Sequence, residues 1–273
     1  ALNSNAATDE GFDYSVTVAC DGGDVCIAVW TSDDDLGGTI GNNASGSRSV
    51  LYGRTVDSVL AIDAVLSSGA TVRFEPGAGR RDPVALKLAE GVATIVRKNA
   101  ALIRQRYPKT MRRNAGFAMD LILDQIEAGV EDRDLDLTKL LVGSEGALAI
   151  TVGAKLKLFP QPKAKGLGLL SFASVDESIA AVMGILETGP SAVELVDDVV
   201  ITAALRNREC APFVEAFPRI GNNQSPAAVL YVEYHCASAE ELAAKFDLLQ
   251  QVVTGSPVRR VTDVQGMANA WAL

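Results

Sequence analysis

The sequence predicts an α+β fold in two parts, and three observations carry that prediction. Two glycine-dense, nearly uncharged loops beside apolar runs, GGTIGNNASG (Gly37 to Gly46) and VGSEGALAITVGAKLKLFP (Val142 to Pro160, its glycine run at Gly143 to Gly146), lie in the first part. The second half twice sets a strand before a capped helix: Leu167 to Phe172 with Ser174-x-x-Glu177, and Val229 to Tyr234 with Ser238-x-x-Glu241. Between the halves stands Pro160-Gln161-Pro162, a boundary signal because proline removes a backbone donor and restricts the residue before it.

Taken in order, residues 1–35 are small and polar, with Asp33 to Asp35 in a row and one strand candidate, Val25 to Trp30. No role is assigned to this segment, and its start without Met suggests a trimmed or partial chain. Val56 to Leu66 and Ala70 to Phe74, joined by Ser67-Ser68-Gly69, carry a hairpin pattern. Leu88, Val92, Ile95, Val96, Leu102 and Ile103 fall on one face of a helix ending near Tyr107-Pro108. A further helix covers Phe117 to Glu127, Glu131 to Asp136 is a loop, and Ala149 to Phe159 is a strand.

Beyond the prolines, the first capped helix turns Ile179, Val182, Met183 and Leu186 inward and stops at Gly189-Pro190. The second turns Leu242, Phe246 and Leu249 inward, and a short strand, Val258 to Val261, follows. Two such units suggest a small split βαβ sandwich.

At 273 residues the chain is long enough for two domains of roughly 100–150 residues each. Hydrophobic residues at 48% and charged residues at 22% fit a globular protein. A net charge of −9 argues against nucleic acid, which requires clustered Lys and Arg, and the short run Lys109 to Arg113 reads as a solvated segment leaving a helix. Cys20, Cys26, Cys210 and Cys236 form no C-x-x-C pair, so they read as reduced thiols and no metal is expected. No stretch approaches the ~20 apolar residues of a membrane span, and the expected location is cytoplasmic.

The glycine runs match neither a P-loop nor a Rossmann fingerprint. In the first, Thr39, Asn42, Asn43 and Ser45 can donate and accept hydrogen bonds, which suits pyrophosphate, ribityl or flavin edges; a tight structural loop reads equally well. Gly143 to Gly146 reads either as a helix N-terminus offering N–H groups to an anion or as Ser144 capping a helix with Glu145 in its first turn. His235, the only histidine, reads as structural, and Arg48 offers a planar fork for a substrate carboxylate or stands as a surface arginine.

In combination, GGTIGNNASGSRSVLYGRTVDSVLAIDAVLSSG, RYPKTMRRNAGFAMDLI, DLTKLLVGSEGALAITVGAKLKLFP and GPSAVELVDDVVI resemble the FAD-linked oxidases of the vanillyl-alcohol oxidase type, in the branch of D-lactate dehydrogenase and the glycolate oxidase FAD subunit. The resemblance spans about Leu36 to Leu273. It implies the second half of a PCMH-type FAD-binding domain over residues 36–164, then a ferredoxin-like α+β cap domain, with helices on one face of its sheet and incomplete here, over 165–273. Residues 1–35 stay unassigned.

The resemblance also implies FAD as cofactor, held by Gly38, Thr39, Gly41, Asn42, Ser45 and Gly46 on one side and by Glu145, Gly146 and Ile150 on the other. Arg48 is the substrate candidate, and no catalytic base is identified. Ala147 and Ala149 stand where the family has Thr and Gly, and Gly116-Phe117-Ala118-Met119 departs from its Gly-Tyr-Asn/Asp-Leu.

The activity implied is oxidation of a small 2-hydroxy acid, such as D-lactate or glycolate, to the 2-oxo acid by hydride transfer to flavin. Electrons would pass to an acceptor protein or a quinone, from the cytoplasm or from the inner membrane face, and the chain would form a homo-oligomer or act alone. Two alternatives stand beside it: a non-catalytic interaction or electron-transfer subunit, and an unrelated enzyme that binds a sugar phosphate.

Overall fold

The computed structural model describes residues 17–20, 25–29, 35–114 and 116–272. These cluster into two compact units. The first takes the described residues up to Ser45 together with Gly53–Pro160, and the second takes Gly46–Tyr52 together with the described residues from Gln161 onward. Seven residues, Gly46 at the end of the first glycine run and the six that follow it, therefore belong to the second unit, although the chain on both sides of them belongs to the first.

The first unit is built on a five-stranded sheet of β1 (Thr17–Cys20), β2 (Val25–Val29), β3 (Val59–Val65), β4 (Thr71–Phe74) and β5 (Ile150–Lys157), in the order β1-β2-β5-β3-β4. All neighbours are antiparallel. The hairpin expected around Ser67-Ser68-Gly69 is β3–β4, registered from Ile62↔Phe74 to Val65↔Thr71. The segment left without a role supplies two strands: β1 and β2 pair with each other, and β2 pairs with β5 from Val25↔Lys157 to Ala28↔Ala154. β1 is the strand that the sequence reading did not propose.

Against this sheet pack the helices Pro83–Lys98 and Met119–Glu127, in a core that includes Ile62, Val72, Phe74, Ile122 and Leu123. Asp82 caps the first of these helices through Val84 N–H and Ala85 N–H, with Pro83 at its first position. The single helix expected through Ile103 is two, broken at Asn99, whose Nδ2 donates to the carbonyl of Ile95. Its inward stripe is Ala85, Ala89, Ala93 and Val96, while Ile95 and Leu102 are more than half exposed. A large-residue count missed the stripe because alanine permits close packing without advertising it.

The second unit is a four-stranded antiparallel sheet of β6 (Ala164–Phe172), β7 (Ala192–Val196), β8 (Ala228–Cys236) and β9 (Val258–Val261), ordered β7-β8-β6-β9. With helices Val175–Glu187 after β6 and Ala239–Val252 after β8, this is the βαββαβ plait. Both helices start as expected, with Ser174 Oγ accepting from Glu177 N–H and Ser238 Oγ from Glu241 N–H. Leu242, Phe246 and Leu249 are buried, as their spacing predicts. In the other helix the inward residues are Ser178, Val182 and Ile185; Ile179 and Met183 point to solvent.

Close packing requires glycine on β6. A Cβ on Gly166 would lie 2.8 Å from the Phe246 ring. The expectation of helices on one face is also corrected. Leu170, Leu230 and Val232 meet the two long helices, whereas Leu167, Leu169, Val229 and Tyr231 are covered on the opposite face by Ile201, Phe217, Ala270 and their neighbours. Burial on both faces explains why β8 reads as an almost continuous apolar run.

Candidate functional site

The two glycine runs come together in the first unit. Gly143 N–H donates to the Ile40 carbonyl at 3.0 Å and Glu145 N–H to the Gly41 carbonyl at 2.9 Å, so the bends are joined main chain to main chain. Half of the first run is helical, Asp35–Gly41, rather than loop. Ile40, fully buried, fastens that short helix to the core, and Asn42 and Ala44 return N–H groups to the Gly38 and Thr39 carbonyls. Asn43, 3% exposed, holds the turn from inside: its Oδ1 accepts from Val56 N–H.

The second run is a turn that follows the helix Thr138–Leu141, and no helix starts there. Gly143, Glu145 and Gly146 all have positive φ, at +86°, +49° and +75°. Neither helix-start reading of Ser144 therefore applies; this backbone is left-handed at three of four positions, which a helix N-terminus cannot accommodate. Gly143 has a packing reason as well, since a Cβ there would lie 3.1 Å from Asn43 Cβ.

Gly38, Asn42, Gly46, Glu145, Gly146 and Ile150 are exposed, and Thr39, Gly41 and Ser45 are half-buried. Ser45 Oγ accepts from Asn114 Nδ2 at 2.8 Å, and the buried Asn114 Oδ1 has no partner among the described residues. Leaving the turn, Leu148, Ile150 and Val152 present apolar side chains to solvent. Open space surrounds the missing Cβ of Gly38, Gly46 and Gly146. Bare backbone, an orphaned amide oxygen and an apolar ledge together suit a ligand with a flat ring and polar edges.

A second cluster lies in the second unit. Glu233 and His235 project from the same face of β8, two residues apart. Glu233 is fully buried, and Arg48 grips it with Nε to Oε2 at 2.6 Å and Nη2 to Oε1 at 3.0 Å. The fork expected for a substrate carboxylate is thus taken by a carboxylate of the chain itself. His235 Nδ1 lies 2.7 Å from the Tyr52 hydroxyl, and its buried Nε2 is 3.3 Å from Glu233 Oε2 without forming a hydrogen bond. Ser191 donates N–H and Oγ–H to the Glu233 carbonyl, fixing the strand there.

Burial alone would raise the Glu233 carboxyl, but the neighbouring His235 ring and Arg48 guanidinium outweigh it and bring it down to about 2. The bond to Glu233 raises Arg48, and burial raises the Tyr52 phenol. His235 thus has a phenol partner in Tyr52 and an acidic neighbour in Glu233, neither of which the sequence reading named. The missed signal is Glu-Tyr-His within a strand, where the first and third residues share a face.

Among the described residues no group of His, Cys, Asp and Glu is arranged to hold a metal, and no helix is long and apolar enough to cross a membrane.

Residues 161–273 match the family of FAD linked oxidases, C-terminal domain. Over 176 residues the chain is 30% identical to the D-2-hydroxyglutarate dehydrogenase of Escherichia coli, an alignment covering 62% of this chain and 17% of that protein. It is 27% identical over 247 residues to the probable mitochondrial D-lactate dehydrogenase of Danio rerio, covering 88% of this chain and 37% of that one. It is 26% identical over 200 residues to the glycolate oxidase subunit GlcD of Bacillus subtilis, covering 72% and 30%. The chain thus spans well under half the length of these relatives. Residues 161–273 thus carry the C-terminal domain of FAD-linked oxidases, for which FAD is the cofactor, and the relatives matched along the rest of the chain are named as dehydrogenases and an oxidase subunit.

Proposed function

We propose that this chain supplies the flavin-holding loops and the cap of an FAD-dependent dehydrogenase that oxidises a small 2-hydroxy acid to the 2-oxo acid. The observation that carries the reading is the pairing of the two glycine runs through Gly143 N–H to Ile40 O and Glu145 N–H to Gly41 O. The names of the relatives, covering D-2-hydroxyglutarate, D-lactate and glycolate, support the substrate class.

On this reading residues 36–164 are the second half of a PCMH-type FAD-binding domain and residues 165–273 a substrate cap. Gly38, Gly41 and Gly46 let backbone approach the cofactor, and Thr39, Asn42 and Ser45 hydrogen-bond its polar edges. From the other side Glu145 and Gly146 close the turn, and Ile150 offers an apolar support to the ring. FAD, when bound, supplies the two-electron acceptor chemistry. The chain's own part is to hold, orient and shield, with Asn114 Oδ1 ready to accept from a ring or hydroxyl donor.

Electrons would leave to an acceptor protein or a quinone, and a cytoplasmic site of action is proposed with it.

The test is to purify the full-length protein, record its visible spectrum, and add D-2-hydroxyglutarate, D-lactate and glycolate in turn without oxygen. The proposal expects a yellow protein bleached by at least one of them. A colourless protein that cannot be reconstituted with FAD would return the chain to an interaction subunit; a yellow protein that none of the three reduces would remove the substrate class.

A further inference from the structure

We propose that Arg48, Glu233, Tyr52 and His235 form an anchor that positions the first glycine run, so that this network sets how tightly the cofactor is held. The inference rests on the flavin reading above and adds residues that touch no cofactor. Gly46 is both the last glycine of the run and the first residue of the seven that belong to the second unit. Two residues further on, Arg48 makes its two-point bond to Glu233; four beyond that, Tyr52 meets His235. Both ends of the seven-residue segment are pinned to one strand, β8.

The construction is costly for a merely decorative contact. Glu233 is an ionised carboxylate with no solvent exposure, on a strand face it shares with Val229, Tyr231 and His235. Such a group is tolerated only while its partner is in place. Arg48, by contrast, is about half exposed, with a side-chain exposure of 49%, and Tyr52 is intermediate. The buried partner belongs to the sheet and the accessible ones to the strap. A bidentate guanidinium–carboxylate pair also fixes direction as well as distance, which a lysine in the same place does not.

The glycine run needs such a hold. Gly38, Gly41 and Gly46 carry no side chain to pack, so the run keeps its shape through buried Ile40 and Asn43, the bonds of Ser45 to Asn114 and of Ala44 to Thr55, the bonds to the second run, and its two exits. One exit leads into the helix Thr55–Ser58 only after passing through the anchored segment.

The test uses the full-length protein in wild-type form and as Arg48→Lys, Glu233→Gln and Tyr52→Phe. Three readouts are taken: the FAD dissociation constant, amide hydrogen exchange of residues 38–46, and exchange of β6 and the helix Ala239–Val252. The anchor predicts that Arg48→Lys and Glu233→Gln weaken FAD binding about tenfold or more. They should speed exchange in 38–46 while leaving β6 and that helix at wild-type rates, and Tyr52→Phe should do the same to a smaller degree.

Wild-type affinity with unchanged exchange in 38–46 overturns the proposal, as does faster exchange throughout the second unit, which would mark a stability pair and nothing more. If Glu233→Gln fails to fold, Tyr52→Phe and Arg48→Lys decide by the same criteria. If the wild type holds no flavin, the cofactor reading fails by itself, and exchange of 38–46 still decides the anchor.

Discussion

Replacing Arg48 with methionine keeps an apolar stem and removes the fork from Glu233. The Glu233 carboxyl is held at about 2 in the fold against an ordinary value of 4.5. A carboxyl lowered by folding stabilises the native state above pH 4.5 and loses that contribution as pH falls through about 2. Through proton linkage the separation corresponds to about 3 kcal/mol at pH 7 and about 1 kcal/mol at pH 3.

Without the guanidinium, burial is opposed by His235 alone and the carboxyl rises. The variant should therefore unfold more easily by up to about 3 kcal/mol at pH 7, where the stranded charge costs most, and by no more than about 1 kcal/mol at pH 3. Urea unfolding of both proteins at the two pH values, followed by circular dichroism, measures the difference. An equal loss at both values, or none at pH 7, would refute the electrostatic account of this pair.

Three further substitutions probe the fold around the sites. Gly143→Ala forces a methyl to 3.1 Å from Asn43 Cβ at a positive φ, and a loss of about 1–3 kcal/mol should appear as a lower thermal midpoint. Gly166→Ala places a methyl against the Phe246 ring and should cost about 1–3 kcal/mol by chemical denaturation, partly recovered when Phe246→Leu is added. Met183→Lys, at a position 71% exposed, should change stability by no more than about 0.5 kcal/mol; a large loss would mean that this helix face is covered.

Local signals were legible in the sequence wherever they were self-contained. Ser174 and Ser238 announced their helices because a cap needs only the next turn, and Ser67-Ser68-Gly69 announced its hairpin for the same reason. Facing was harder. Met183 and Ile179 looked inward because they are large, yet Ser178 and Ile185 turn to the sheet, and the two-sided burial of β8 showed only as a missing alternation.

The site divides in the same way. Glycine density located both runs, but their left-handed turn at Glu145 and the internal brace from Asn43 depend on partners far away in sequence. Glu233 could have been paired with His235 from strand spacing alone; its union with Arg48, 185 residues earlier, could not.

The most direct test of the central claim is a hydrogen-exchange footprint of the full-length protein with and without FAD. The account predicts that FAD slows exchange in both 38–46 and 143–150 and leaves the helix Ala239–Val252 unchanged. Protection of only one of the two segments, or of neither while FAD is demonstrably bound, would contradict it.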